Sequence, residues 1–261
     1  MPRFAANLTL LFNELPFLDR FQAAAHAGFE AVEFLFPYAF AAKELRARLE
    51  GHGLQLVLHN LPAGDWEAGD RGLACHPGRV QEFRASVAKA IEYASVLGVP
   101  QLNCLAGRAP DGVAADTVHG TLVENLGFAA LELQRAGLRL LVEPINHFDM
   151  PGFVLNRTAQ AVALMDEVDS DNLFLQYDVY HAQRMEGELA ATLEQHLLRI
   201  AHIQIADNPG RHEPGTGEIH YDFLFQHLDR IGYRGWVGCE YQPLTTTLAG
   251  LSWRERWNRS P

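Results

Sequence analysis

Two rhythms alternate along the chain. Short, nearly continuous apolar runs recur, and between them lie longer segments with apolar residues spaced three and four apart. The first is the pattern of strands covered on both faces, the second that of helices with one buried side. Strands are predicted at residues 4–12, 31–36, 55–59, 101–106, 139–142, 173–178, 201–206 and 236–240. Helices are predicted at 16–28, with Pro16 opening and Gly28 closing, then at 41–49, 80–97 and 117–136. Others follow at 158–168, with Thr158 as N-cap, at 188–198 and 221–230, and at 245–257 as a weak terminal helix. Strict alternation of this kind means right-handed βαβ units and a parallel sheet.

A doubly wound open sheet shares the alternation but usually carries a glycine fingerprint after its first strand. Here that place reads Asn7-Leu-Thr-Leu-Leu-Phe-Asn13, and neither GxGxxG nor GxxxxGK occurs. No composition shift or linker divides the chain. At 261 residues it matches the usual size of a closed barrel. The expected fold is α/β, a single (β/α)8 TIM barrel forming one domain over 1–261.

Active sites of such barrels lie at the C-terminal ends of the strands. Four apolar runs end there in an oxygen-bearing side chain: Glu143, Asp178, Gln204 and Glu240. Neighbours in this set are separated by roughly the ~30 residues of one βα unit, so they occupy consecutive strands at similar height. Carboxylates crowded in a low-dielectric mouth repel, and a divalent cation removes that cost. An all-oxygen set suits Mg2+ or Mn2+ better than zinc. Glu33 and His59 also fall at strand ends. The long loop 61–78 carries Trp66 as a lid candidate, and loops of that length inside a compact domain tend to be functional. His147 and Asp149 follow the fifth strand and serve equally well as caps of the Pro151-Gly152 loop. Gly215 and Gly217 have no lysine in Walker spacing, so their loop shapes the mouth.

Composition narrows the function classes. A net charge of -11 opposes a nucleic-acid surface, which needs a basic face. Cys75, Cys104 and Cys239 lack CxxC spacing and read as reduced core residues. No apolar run is long enough to span a membrane, and the Met-Pro-Arg-Phe start lacks a signal peptide's apolar stretch, so a cytoplasmic protein is expected. A homo-oligomer is compatible with the chain, and the pattern leaves oligomeric state open.

Longer motifs carry a resemblance. They are Arg3-Phe-Ala-Ala-Asn-Leu8, Glu33-Phe-Leu-Phe-Pro37, His59-Asn-Leu-Pro-Ala-Gly-Asp-Trp66 and Leu141-Val-Glu-Pro-Ile-Asn-His147. Gln176-Tyr-Asp-Val-Tyr-His181, His202-Ile-Gln-Ile-Ala-Asp207, Glu213-Pro-Gly-Thr-Gly-Glu-Ile219 and Gly238-Cys-Glu-Tyr241 complete the set. The chain resembles the hydroxypyruvate isomerase family of xylose isomerase-like barrels nearly end to end. That resemblance implies a metal-dependent isomerase acting on hydroxypyruvate, a small anionic hydroxy-oxo acid, in glyoxylate metabolism. It implies that Glu143 and Glu240 both hold the metal and move the proton, with Asp178 and Gln204 as the other ligands. Many relatives have histidine where Gln204 stands. The resemblance also places His181, and more loosely Arg211, on the substrate, with His59 at the mouth. A 2-oxo-tetronate isomerase or another sugar-acid isomerase or epimerase would use the same parts. A DNA-repair endonuclease or a non-catalytic sugar-binding barrel are the more distant readings.

Overall fold

The structure, a computed structural model, describes residues 1–257; the expected domain bound at 261 lies outside the described residues. Eight parallel strands close into one barrel in sequence order: β1 Arg3–Asn7, β2 Ala31–Glu33, β3 Gln55–Asn60, β4 Gln101–Cys104, β5 Arg139–Val142, β6 Leu173–Asp178, β7 Ile200–Ile205 and β8 Trp236–Cys239. Pairing of Arg3 to Ala6 with Trp236 to Cys239 shuts the ring. Around it lie α1 Arg20–His26, α2 Ala42–Gly51, α3 Val80–Leu97, α4 Ala115–Arg135, α5 Thr158–Val168, α6 Val179–Met185, α7 Leu189–His196 and α8 Tyr221–Ile231. No helix among the described residues is long and apolar enough to cross a membrane.

Side chains alternate in and out along each strand. The outward set, including Phe4, Ala6, Val32, Leu56, Leu102, Leu140, Val142, Leu175, Ile203 and Val237, packs under the helices in the main core. The inward set is layered. Ala5, Ala31, Val57, Leu58 and Leu141 pack with Phe174, Ala201 and Trp236 as a small apolar plug. Two residues further along their strands, the same inward face carries Asn7, Glu33, Glu143 and Gln176, all buried. The barrel axis therefore changes from apolar to polar toward the C-terminal end.

Glu33 anchors the polar layer. Asn7 Nδ2 and Gln204 Nε2 donate to its Oε1 at 2.9 and 2.8 Å, and His202 Nε2 lies 2.6 Å from Oε2. Room for this carboxylate comes from Gly238 on β8. A Cβ there would fall 2.3 Å from Oε2 and 2.4 Å from Oε1.

Five strands, β1, β2, β4, β7 and β8, end sooner than the apolar runs suggest, while β5 and β6 end as expected and β3 one residue later. Residues 8–12 are turn, not strand, because the Asn7 side chain accepts from the Thr9 N–H and the Asn7 carbonyl from the Leu10 and Leu11 N–H groups. The segment 179–185, between the predicted strand at 173–178 and the helix predicted at 188–198, is helix α6, started by Asp178 as its N-cap. Thr158 is not an N-cap. It is the first residue of α5, and its N–H and hydroxyl both donate to Glu186 Oε1 at 2.8 and 2.6 Å. The terminal helix is 3-10 in geometry and covers Ala249–Arg256.

Gly238→Ala tests the axial layer. A methyl in the space of the Glu33 carboxylate breaks its contacts and leaves buried polar groups unpaired, at about 1–3 kcal/mol each. The expected result is a lower urea midpoint with an unchanged m-value. A wild-type midpoint would show that Glu33 does not need that space.

Candidate active site

Four strand ends and one loop build the mouth. β5 stops at Val142, so Glu143 stands just above the inward-facing Leu141. At the end of β6, Asp178 divides its two oxygens. Oδ1 accepts from the Tyr180 and His181 N–H groups at 2.8 and 3.4 Å and starts α6, while Oδ2 is buried with no hydrogen-bond partner among the described residues. Gln204 pairs in register with Asp178, and its Oε1 accepts from Gln176 Nε2 at 2.6 Å. Glu240 follows β8. The loop after β7 is folded around Asp207, which accepts from the N–H groups of Asn208, Gly215 and Ile219. A Cβ on Gly217 would lie 2.2 Å from the Asn208 carbonyl oxygen, so that glycine serves close packing of the loop. The same loop holds Arg211 in a left-handed backbone, φ 58°, a conformation that costs a residue with a side chain about 1 kcal/mol or more.

Arg211 supplies the cation. Its Nη2 lies 3.1 Å from Glu240 Oε2 and 3.8 Å from Asp178 Oδ2. Against its burial, these two acids and Glu143 hold the guanidinium above its usual range. Burial drives Glu240 up to about 8, against the pull of Arg211 and with repulsion from Asp178 and Glu33. Burial, then repulsion from Glu240 and Asp178, drives Glu143 well above the usual carboxylate range. Burial also raises Asp178. Three acids thus share one cation, and the surplus negative charge is held by desolvated groups.

His181 sits among them as a neutral ring. Burial, with Arg211 and Arg184 nearby, holds it well below its usual value. Its tautomer follows from Asn146. Asn146 Oδ1 accepts from the Asp149 N–H at 2.9 Å and Nδ2 donates to Asp149 Oδ2, so the amide orientation is set. Nδ2 therefore faces His181 Nδ1 at 2.6 Å as donor, and the ring proton lies on Nε2. That N–H points toward Asp178 Oδ2 and Glu143 Oε1, at 3.6 and 3.9 Å.

Ligand atoms of Glu143, Asp178 and His181 lie within 4.8 Å of one another, close enough to share one metal ion. The unpartnered Asp178 Oδ2 and the excess of carboxylates over cations fit a divalent cation there. In this tautomer the free lone pair of His181 is taken by Asn146. Oxygen donors are left as the better set, and they suit a hard ion.

Glu143, His181, Arg211, Glu240 and Asn60, but not Asp178 or Gln204, line a cavity of about 270 Å3. That is below the ~300–1,000 Å3 of pockets for drug-sized ligands and suits a small molecule. His59 does not reach this wall. A register shift between Val32 and Glu33 brings Leu58 level with Glu33, so Asn60 faces in and His59 faces out. There His59 stacks on Phe34, with Nδ1 donating to the Asn60 carbonyl at 3.1 Å. Asp149 is on the wall, held by Asn146, Tyr180 and Arg184. Trp66 lines it too, packed on Phe36 at 5.2 Å. Arg71, which the sequence reading passes over, also lines it. A basic residue in a long loop beside a candidate lid aromatic was the available signal. His147 lines a different groove, about 660 Å3 and mainly apolar, between α4 and α5.

The barrel and its acid-ringed mouth define the class, and the xylose isomerase-like TIM barrel family matches over residues 21–257. The chain is 56% identical to hydroxypyruvate isomerase of Escherichia coli over 98% of its length and 99% of that relative. It is 51% identical to a 2-oxo-tetronate isomerase of Cupriavidus necator, over 97% of each chain. A crystal structure from Brucella melitensis, described as an AP endonuclease of family 2, superposes with a TM-score of 0.96 at 46% identity, covering 99% and 100% of the two chains. The chain belongs to the hydroxypyruvate isomerase family within the xylose isomerase-like barrels, and it is an isomerase.

His59 makes acid sensitivity testable. Burial lowers it from 6.5 to about 4. Between those values the unfolded chain binds more protons than the folded one. Its contribution to stability is therefore full above pH 6.5 and is lost as pH falls toward 4, roughly 3 kcal/mol in all. His59→Phe should flatten the loss of stability between pH 7 and 5 in urea titrations. An unchanged pH slope would contradict this.

Proposed function

We propose that the chain is a hydroxypyruvate isomerase, interconverting hydroxypyruvate and 2-hydroxy-3-oxopropanoate (tartronate semialdehyde) by proton transfer through an enediolate. The supporting observation is the pair Glu143 and Glu240, both buried, both pushed toward the neutral form and both on one small cavity. The similarity to the Escherichia coli enzyme points the same way. The whole chain, 1–261, is taken as one working barrel in the cytoplasm.

In this reading Glu143, Asp178, Gln204 and Glu240 hold a divalent ion, Mg2+ or Mn2+. When bound, the ion supplies Lewis-acid polarisation of the substrate's oxygens. Proton movement belongs to the protein. One glutamate takes the proton from the hydroxyl-bearing carbon, and a carboxylate on the same face delivers one to the neighbouring carbon. Burial raises the affinity of both carboxylates for a proton and a bound cation lowers it, and the two opposing effects let a carboxylate take up a proton and pass it on. Asn103 Nδ2, donating to Glu143 Oε2 at 2.9 Å, fixes the carboxylate plane. His181 offers its Nε2–H to a substrate oxygen, and Arg211 holds Glu240 while facing the cavity. His59 acts from behind the wall, keeping Asn60 in place.

The Cupriavidus relative favours a second substrate, a four-carbon 2-oxo-tetronate, on the same machinery. The description of the Brucella structure names a DNA-repair class, and a charge of -11 opposes a phosphodiester partner.

Chelator-treated protein should be inactive on hydroxypyruvate and recover with Mg2+ or Mn2+ added singly; full activity before any metal is restored, or no recovery with either ion, would sink the metal assignment. Glu143→Gln and Glu240→Gln should each lower kcat by roughly 10²–10⁴-fold at saturating metal. Full activity in either removes that residue from proton transfer. Comparing kcat/KM for hydroxypyruvate and a 2-oxo-tetronate decides between the substrates.

A further inference from the structure

Besides Arg211, the cavity wall carries one other permanently cationic side chain among the described residues, Arg71. The two are placed very differently. Arg211 is engaged by Glu240 and Asp178, so its charge is already balanced inside the protein. Arg71 has no acidic partner within salt-bridge distance among the described residues. Its only hydrogen-bond acceptors there are the backbone carbonyls of Trp66 and Asp70, reached by Nη1 at 2.9 and 2.6 Å. A guanidinium carries five N–H donors, and here one nitrogen serves the loop while the rest remain for a ligand.

The acid next to Arg71 is withheld from it. Asp70 pairs with Arg79 through Oδ1 at 2.7 Å and accepts from the Asp65 N–H through Oδ2 at 2.7 Å. Arg79 is in turn held by Glu82 at 2.8 Å. Glycines press the loop against the barrel. At Gly72, φ 117°, a Cβ would lie 2.3 Å from the Leu105 carbonyl oxygen, and at Gly64, φ 88°, one would lie 2.1 Å from Asp70 Oδ2. The loop is thereby fixed on both sides of Arg71.

Trp66 completes the arrangement. The Arg71 guanidinium carbon lies 4.0 Å from the indole ring centre, and Trp66 itself rests on Phe36. A guanidinium laid over an aromatic face keeps its edge N–H groups free in its own plane, the geometry that takes a carboxylate through two parallel bonds. The surrounding wall of Leu35, Phe36, Leu105 and Ile145 is apolar, which strengthens such a pair by excluding water.

We infer that Arg71, backed by Trp66, is the anchor for the carboxylate of a small 2-oxo or 2-hydroxy acid, and that it directs the carbons to be isomerised toward Glu143 and Glu240. The inference rests on the hydroxypyruvate reading of the site. It adds the group that selects an acid over a neutral sugar. With Arg211 committed to the metal-site carboxylates, the anion is recognised at the opposite task from catalysis, binding without proton transfer.

The test is calorimetric binding of hydroxypyruvate, together with steady-state kinetics, for the metal-loaded wild type, Arg71→Gln and Arg71→Lys. Loss of a charge-assisted carboxylate contact should raise Kd and KM by roughly 10–100-fold in Arg71→Gln, with kcat within about threefold. Arg71→Lys keeps the charge but not the planar fork and should fall between. Glycerate, a non-reacting three-carbon acid, should weaken as an inhibitor in parallel, while glycerol should compete equally poorly with all three proteins. Arg71→Gln with unchanged Kd and KM overturns the anchor, and so does a fall in kcat alone. If Arg71→Gln fails to fold, an Arg71→Lys protein with wild-type KM for hydroxypyruvate and wild-type inhibition by glycerate overturns it as well. Tight binding that depends on Arg71 without turnover would sink the proposed reaction and leave the anchor standing.

Discussion

The structure turns on a carboxylate buried on the barrel axis. An ionisable group removed from water is costly unless its oxygens are fully bonded. Glu33 meets that requirement with three donors from two strands, Asn7 on β1 and His202 and Gln204 on β7, and with the space left by Gly238 on β8. Each contact spans strands that are far apart in sequence. The layer works only if the barrel closes in this register, and it supports the side chains above it. Gln204 gives its amide N–H to Glu33, and its carbonyl oxygen accepts from Gln176.

Above this layer the balance of charge changes. Glu143, Asp178 and Glu240 crowd together with one guanidinium, and burial drives all three away from ionisation. Such a cluster is poor at stabilising a fold and well suited to chemistry, because it shifts easily when a cation or proton arrives. The Asp178 side chain shows how the two duties are divided. One oxygen starts helix α6, which carries His181 into the site, and the other is left without a partner. The positions of the acid and the histidine are therefore mechanically linked.

Much of this was legible in the chain. The eight apolar runs, their helical partners and the strand-end residues Glu143, Asp178, Gln204 and Glu240 follow from periodicity, because burial on both faces leaves little choice of pattern. Strand limits were harder to see. Residues 8–12 are as apolar as a strand, yet one asparagine side chain turns the backbone out of the sheet. Helix α6 was hidden because its start signal, Asp178, is also the last residue of a strand.

Sequence alone determined the closed alternating fold and the acids at the mouth, since these depend on residue type and on spacing within one unit, and its longer motifs carried the family resemblance. Tertiary structure decided which side chains share a wall. A single register shift in β2 and β3 turned His59 to the helices and Asn60 to the cavity. The orientation of Asn146 fixed the proton on His181, and the pairing of Asp70 with Arg79 left Arg71 open to the cavity beside Trp66. These outcomes depend on contacts between segments distant in the chain, and a local pattern carries no record of which partner each side chain will meet.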